Sequence, residues 1–126
     1  MVPKFRAFLT ETKTMHDVLQ IDLSRSMVSL KIENASEWYW FKEVVLMQST
    51  GLKDKNGVGI FEGDVLTSNV QPCKMVNPIK DGYGVVRFEN GMFKLGAISL
   101  VTFISKMEVV GNIYENPELL EQANEN

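Results

Sequence analysis

The sequence predicts an all-β protein, a small partly open barrel or sandwich of about eight short strands with a short C-terminal helix. Three observations predict this class. Apolar and polar residues alternate in short runs, turn residues such as Asn-Gly separate those runs at close spacing, and a well-formed helix start lies near the end of the chain. With 126 residues, of which 44% are hydrophobic, residues 1–126 are expected to form one compact domain.

The first third of the chain is predicted to form antiparallel strands. In residues 4–9, Phe5, Ala7 and Leu9 fall on one face of a strand. Residues 15–33 indicate a hairpin, and the strictest alternation of the whole chain lies in its second half. Residues 34–37 are expected to be a loop before the next strand.

Four consecutive aromatic residues follow this loop: Trp38, Tyr39, Trp40 and Phe41. On a strand, the two tryptophans would share one face and Tyr39 and Phe41 the other. One interpretation is that the cluster anchors the core. The other is that one pair is exposed and forms an interaction surface for a partner or a second subunit, because large aromatic side chains dominate interface energetics.

The stretch from residue 46 to residue 66 is predicted to be two strands joined by a glycine-rich turn. Its Asp-x-Asn spacing is similar to that of calcium-binding loops. In a calcium loop that began at Asp54, Val58 and Val65 would stand at positions five and twelve, where an oxygen ligand is needed. The stretch is therefore interpreted as a turn and not as a metal site.

The remainder is predicted to contain a long loop at residues 71–82, a hairpin at 83–95, an apolar run at 97–104 and a last strand at 107–113. Asn116 as N-cap and Pro117 at the first helical position begin the terminal helix, and residues 121–126 are expected to fray. The residues assigned to turns and caps rather than to chemistry are Gly51, Asn56, Gly57, Gly63, Asp64, Asn90, Gly91, Asn116 and Pro117.

Composition excludes several classes of function. His16 and Cys73 are the only histidine and cysteine, which excludes an internal disulfide and a zinc cluster of Cys and His within one chain. No serine lies in a nucleophile-elbow pattern, and an enzyme would need paired carboxylates such as Glu62 and Asp64 brought together with another acidic residue, which spacing alone does not show. We therefore predict no catalytic residue, no metal, no cofactor and no enzyme activity. The net charge of -3 argues against nucleic acid as partner, and no apolar run approaches the roughly 20 residues of a membrane span.

Several blocks spread over the chain resemble the YopX family, small proteins encoded by phages and prophages of low-GC Gram-positive bacteria. The residues that carry the resemblance are Lys4 to Ala7, Leu46 to Gln48, Thr50 to Gly57, Phe61 to Val65 and Val110 to Leu120. The resemblance implies an all-β domain of phage origin. No biochemical activity is established for the family, so it supplies no catalytic or ligand residues.

These observations lead to a non-enzymatic phage or prophage accessory protein that acts by protein binding or self-assembly. It is expected to be a homo-oligomer in the cytoplasm of the bacterial host cell, or to bind a phage or host protein, with the aromatic cluster or a sheet edge as contact. The alternative is a small-barrel nucleic-acid-binding module that stacks bases on its aromatic residues.

Overall fold

The computed structural model describes residues 4–67, 83–95, 98–99 and 104–119. The predicted loop at 71–82, with Cys73, and the predicted frayed end at 121–126 lie outside the described residues. The strands are β1 (Phe5–Leu9), β2 (Thr14–Asp22), β3 (Met27–Ile32), β4 (Ala35–Trp40), β5 (Val44–Lys53), β6 (Gly59–Phe61), β7 (Asp64–Thr67), β8 (Tyr83–Glu89), β9 (Met92–Leu95), β10 (Ile98–Ser99) and β11 (Glu108–Asn112).

The strands form two antiparallel sheets, which confirms the predicted all-β class. The order of the first is β4-β3-β2-β1-β5-β6, and the order of the second is β10-β9-β8-β7-β11. Neither sheet closes on itself in the described parts of the chain. Each sheet therefore has two edge strands, and β4 is one of them.

The contacts between Cα atoms divide the chain into two compact units, Met1–Ser49 and Thr50–Asn126, and the division falls inside β5. The expectation of one domain over residues 1–126 stays a prediction.

In the first unit, β1 lies between β2 and β5 and pairs with both in antiparallel register. The alternation predicted for residues 27–33 forms β3, whose Val28 and Leu30 are fully buried in a cluster with Ala7, Leu9 and Val44. The order of strands follows from consecutive hairpins, since β2 pairs with β3 and β3 with β4.

The prediction of a loop at residues 34–37 was wrong. Ala35 already pairs with Ile32, so only Glu33 and Asn34 make the turn between β3 and β4. Glu33 has a φ of 55°, a left-handed conformation that tight two-residue hairpins require and that glutamate seldom adopts. β4 therefore starts at Ala35, ahead of the aromatic cluster.

In the second unit, β7 lies between β8 and β11. Asn90 and Gly91, with φ of 53° and 82°, connect β8 to β9 as a two-residue turn, since Glu89 pairs with Met92. The buried cluster of this unit consists of Ile60, Leu66, Val86, Leu95 and Met107.

Residues 117–119 are helical, at the place predicted for the C-terminal helix. No helix among the described residues is long and apolar enough to cross a membrane.

Candidate functional site

The most exposed aromatic surface of the first unit lies on the edge strand β4. Trp38 and Trp40 are each 48% exposed, although tryptophan is among the residues that gain most from burial. They share a face of the strand, and their partners across β3 are Ser29 and Met27. We call the three residues Ser36, Trp38 and Trp40, with their side chains and their backbone groups, the tryptophan edge.

The other two aromatic residues face the core. Tyr39 pairs with Val28, and both Tyr39 and Phe41 pack partly buried against the cluster of the first unit. One pair is thus exposed, as the second interpretation expected, and its role as an interaction surface stays a prediction. Alternation along β4 sends Tyr39 to the core and leaves the flanking tryptophans half-exposed.

The backbone of the tryptophan edge also faces outward. The Phe41 N–H donates to the Ser26 carbonyl at 2.8 Å, so Phe41 and Ser26 form a hydrogen-bonded pair. Hydrogen-bonded and non-hydrogen-bonded pairs alternate in an antiparallel ladder. The N–H and C=O groups of Trp40, Trp38 and Ser36 therefore point away from β3, on the side where no described strand pairs with β4.

The Glu43 side chain accepts a hydrogen bond from one of these outward-pointing backbone groups. Its Oε1 accepts the Trp40 N–H at 3.2 Å, from the end of the 3-10 turn Phe41–Glu43 that follows β4. The turn is held in place because the Glu43 carbonyl accepts both the N–H of Thr10, at 3.1 Å, and its hydroxyl, at 3.0 Å. Glu43 thus covers the C-terminal end of the edge and leaves Ser36 and Trp38 as its open part.

Glu37 places a carboxylate on the face of β4 opposite the tryptophans. The Tyr39 hydroxyl donates to Glu37 Oε2 at 2.6 Å. This hydrogen bond, with burial and the charges of Glu37, Glu43 and Glu11, raises the pKa of Tyr39 above its ordinary value. On the tryptophan face, by contrast, the residue across from Ser36 is Lys31.

Two shallow hollows lie beside the tryptophans. Trp38 lines one of them with Leu23, whose side chain is 79% exposed at the turn after β2. Trp40 lines the other, of about 410 Å³, with Phe41, Lys42 and Ser26. Both tryptophan rings thus border apolar surface that a partner side chain can fill.

His16 lies on β2 and has structural partners. Its Nε2 is 2.6 Å from the Thr14 hydroxyl, and its Nδ1 is 3.3 Å from the Lys31 carbonyl. Within residues 4–67, 83–95, 98–99 and 104–119, no three His, Cys, Asp or Glu side chains are grouped so that they could hold a metal ion.

Asp54, the first residue of the calcium-loop pattern in the sequence, stabilises a turn by accepting hydrogen bonds. Its Oδ1 accepts the N–H groups of Asn56 and Val58, at 2.8 and 2.9 Å, and its Oδ2 accepts the N–H of Val109 at 2.9 Å. The side chain of Asn56 adds a bond to Glu108, at 3.1 Å. Burial raises the pKa of Asp54, but the hydrogen bonds from Val109, Val58 and Asn56 and the charge of Lys55 outweigh it, so that the pKa is lowered.

The turn at Asp64 is built in the same way. Asp64 is buried, and its Oδ2 accepts the Phe61 N–H at 2.8 Å. Gly51, Gly57 and Gly63 all have positive φ, of 78°, 82° and 88°, which a residue with a Cβ rarely adopts.

A second pair of side chains organises the end of β11. Asn112 Oδ1 accepts the N–H groups of Tyr114 and Glu115, at 3.0 and 2.8 Å. Asn116 Oδ1 accepts the N–H of Asn112 at 3.2 Å, so its side chain reaches back to the strand just before the helical residues 117–119, which Pro117 begins. The sequence offered the N-cap as the role of Asn116 and did not indicate this contact.

Comparison with known proteins agrees with the resemblance seen in the sequence. The family model described as YopX protein matches residues 4–121. The crystal structure of protein EF1440 from Enterococcus faecalis is similar, with a TM-score of 0.65 and 36% identity over 96% of this chain and 99% of that one. The X-ray structure of YopX from Bacillus subtilis shares the fold, with a TM-score of 0.55 and 19% identity over 94% of this chain and 98% of that one. No curated protein matches the chain.

Proposed function

The chain belongs to the YopX family, for which no function is established, and from the surface of this chain we propose that it acts by binding another polypeptide chain. In this proposal it is a non-enzymatic phage or prophage accessory protein of the host cytoplasm. The tryptophan edge is the contact, and the partner is a phage protein, a host protein or a second copy of the chain.

One observation carries the proposal: the only two tryptophans of the chain lie side by side on an edge strand, and each is half-exposed. An edge strand with exposed aromatic residues is a liability in a protein that works alone, because its unpaired backbone groups and apolar side chains attract other chains. In a binding protein the same features supply affinity, and tryptophan is among the residue types enriched in the hot spots near the centres of interfaces.

The two half-exposed rings are a source of binding energy. Covering the exposed half of one tryptophan removes roughly 100 Å² of apolar surface from water, a gross gain of about 2.5 kcal/mol from which the cost of association is subtracted. Two such rings, with the outward backbone groups of Ser36 and Trp38, thus provide the few anchors that dominate an interface.

The experiment is site-specific photo-cross-linking in bacterial cells. A photoreactive phenylalanine analogue replaces Trp38 in one variant and Phe88 in the control, since Phe88 is equally exposed, at 49%, on β8 of the other unit. We expect a discrete cross-linked species from position 38 and not from position 88. A species of twice the chain mass would identify a second copy, and a heavier or lighter one a different protein.

Two results would overturn the proposal. One is the absence of a discrete species at position 38 when the variant is folded and the probe is active. The other is cross-linking at position 38 to nucleic acid, which would favour the nucleic-acid-binding alternative.

A further inference from the structure

Resting on the proposed function, we infer that β4 binds its partner by strand addition, and that the partner contributes an extended segment in which apolar residues alternate with lysine or arginine. The segment extends the sheet of the first unit by one strand. Its apolar side chains lie against the tryptophans, and its basic side chains lie on the opposite face beside Glu37.

The backbone of the tryptophan edge is arranged for this mode. Ser36 and Trp38 each present an N–H and a C=O away from β3, two residues apart, which is the spacing at which an added strand forms its hydrogen bonds. The Trp40 N–H is held by Glu43, so the added strand pairs first with Ser36 and Trp38. Main-chain hydrogen bonds of this kind give affinity for extended peptides regardless of their sequence.

Specificity follows from the two faces of β4. Side chains of an added strand that lie opposite Trp38 share the tryptophan face, where Leu23 borders the same hollow. Side chains opposite Glu37 share the other face, where Glu37 Oε2 accepts the Tyr39 hydroxyl. The charges of Glu43 and Glu11 also act on Tyr39. Apolar residues suit the first face and cations the second. A segment that satisfies both must alternate with a period of two.

A second copy of β4 does not fit this pattern. The strand reads Ala-Ser-Glu-Trp-Tyr-Trp and contains no lysine or arginine. Antiparallel pairing of two copies centred on Glu37 would place like carboxylates opposite each other, which destabilises a strand pair. In that register the charges of the edge are complementary to a basic partner and not to the edge itself.

The test uses three synthetic peptides and the intrinsic fluorescence of the whole chain. The first peptide is an acetylated and amidated seven-residue peptide of alternating lysine and valine. The second replaces lysine by glutamate, and the third keeps lysine but carries N-methyl groups on the alternate amides that face β4. Because both tryptophans of the chain lie on β4, the emission reports on this edge alone.

We expect the lysine peptide to shift the emission to shorter wavelength in a saturable manner, because the rings leave water. The glutamate peptide should bind about tenfold more weakly, since two or three exposed charge pairs change sign. The N-methylated peptide should bind at least about tenfold more weakly, because the methyl groups remove donors and block strand pairing.

A double variant, Glu37→Gln with Glu43→Gln, should bring the lysine and glutamate peptides to similar affinity. Its control is Glu89→Gln with Glu118→Gln, which changes the net charge equally at exposed residues of the other unit. The control should keep the preference for lysine.

The outcomes separate this inference from the proposed function. Equal binding of the N-methylated peptide would overturn strand addition, and equal or tighter binding of the glutamate peptide would overturn the basic partner. If no peptide binds while position 38 still cross-links to a protein, the mode is wrong and the proposed function stands. A dimer in light scattering that Trp38→Ala dissociates would make the second copy the occupant and would overturn the inference as well.

Discussion

Replacement of Asp54 by asparagine tests whether the Asp54 carboxylate stabilises the fold by binding the turn that follows it and strand β11. The carboxylate accepts three backbone N–H groups, two on Oδ1 and one on Oδ2. An asparagine of the same shape keeps the two bonds on one oxygen only if its NH₂ group faces the Val109 N–H. Two donors then meet, and the Val109 amide loses its acceptor.

The expected cost follows from the bond that is lost. Val109 is partly buried in the strand pair of β11 and β7, so water replaces its acceptor poorly. A hydrogen bond to a charged group contributes about 1.5–3 kcal/mol, and we therefore expect Asp54→Asn to lower the free energy of unfolding by about 2 kcal/mol at pH 7. Asp17→Asn, at an exposed aspartate of β2, removes the same charge and should change the free energy by less than about 0.5 kcal/mol.

The pH dependence gives an independent check. The folded-state pKa of Asp54 is lowered, so its contribution to stability is present above the unfolded-state pKa of about 3.9 and is lost as the pH falls through the folded-state pKa. A protonated aspartate has one acceptor oxygen and one donor, as asparagine does. The difference between wild type and Asp54→Asn should therefore narrow below about pH 4.

The assay is urea unfolding of the three proteins, followed by circular dichroism, at pH 7 and at several lower pH values. The reasoning would be refuted if Asp54→Asn were as stable as Asp17→Asn at pH 7. It would also be refuted if the difference between Asp54→Asn and wild type stayed constant through the acid range.

Two further predictions concern stability. Gly111→Ala should lower the free energy of unfolding by about 1–3 kcal/mol, because the added Cβ would clash with Asn116 Oδ1 and lie 2.8 Å from Asn116 Cγ and 2.9 Å from Leu119 Cδ1. At Gly59 an added Cβ meets nothing within 4 Å, so the free energy of unfolding of Gly59→Ala should stay within about 1 kcal/mol of the wild-type value. Equal urea midpoints for the two variants would contradict this prediction. The double variant Trp38→Ala with Trp40→Ala should remain folded, with the circular dichroism of the wild type. Leu30→Ala, at a fully buried position, should lower the free energy of unfolding by about 2–5 kcal/mol. Unfolding of the tryptophan double variant would show that these rings belong to the core.

The parts of the fold that the sequence predicted are those set by neighbours along the chain. Alternation in residues 27–33 predicted β3, and Asn90 with Gly91 predicted the hairpin of β8 and β9. Both signals are local, because side-chain alternation and turn conformation depend on residues within a few positions of each other. The loop at residues 34–37 was wrong because Glu33 adopts a positive φ, which residue type alone does not favour.

The candidate site depended on information that the sequence does not carry locally. The aromatic cluster was visible, but the exposure of Trp38 and Trp40 follows from the position of β4 at the end of the strand order. The order β4-β3-β2-β1 follows from consecutive hairpins, but hairpin signals do not fix whether a distant segment pairs with the other side of β4. The contact from Asp54 to Val109, 55 residues away, escaped prediction for the same reason.

The central claim, that the tryptophan edge is an open strand used for binding, is tested most directly by amide hydrogen exchange along β4, measured by NMR with and without the lysine and valine peptide. In the free chain, the amides of Ser36 and Trp38 should exchange fast, whereas those of Glu37, Tyr39 and Phe41 should be protected by their bonds to β3. The peptide should slow exchange at Ser36 and Trp38 and leave the other three unchanged. Equal protection along the free strand, or exchange at Ser36 and Trp38 that the peptide does not change, would contradict the account.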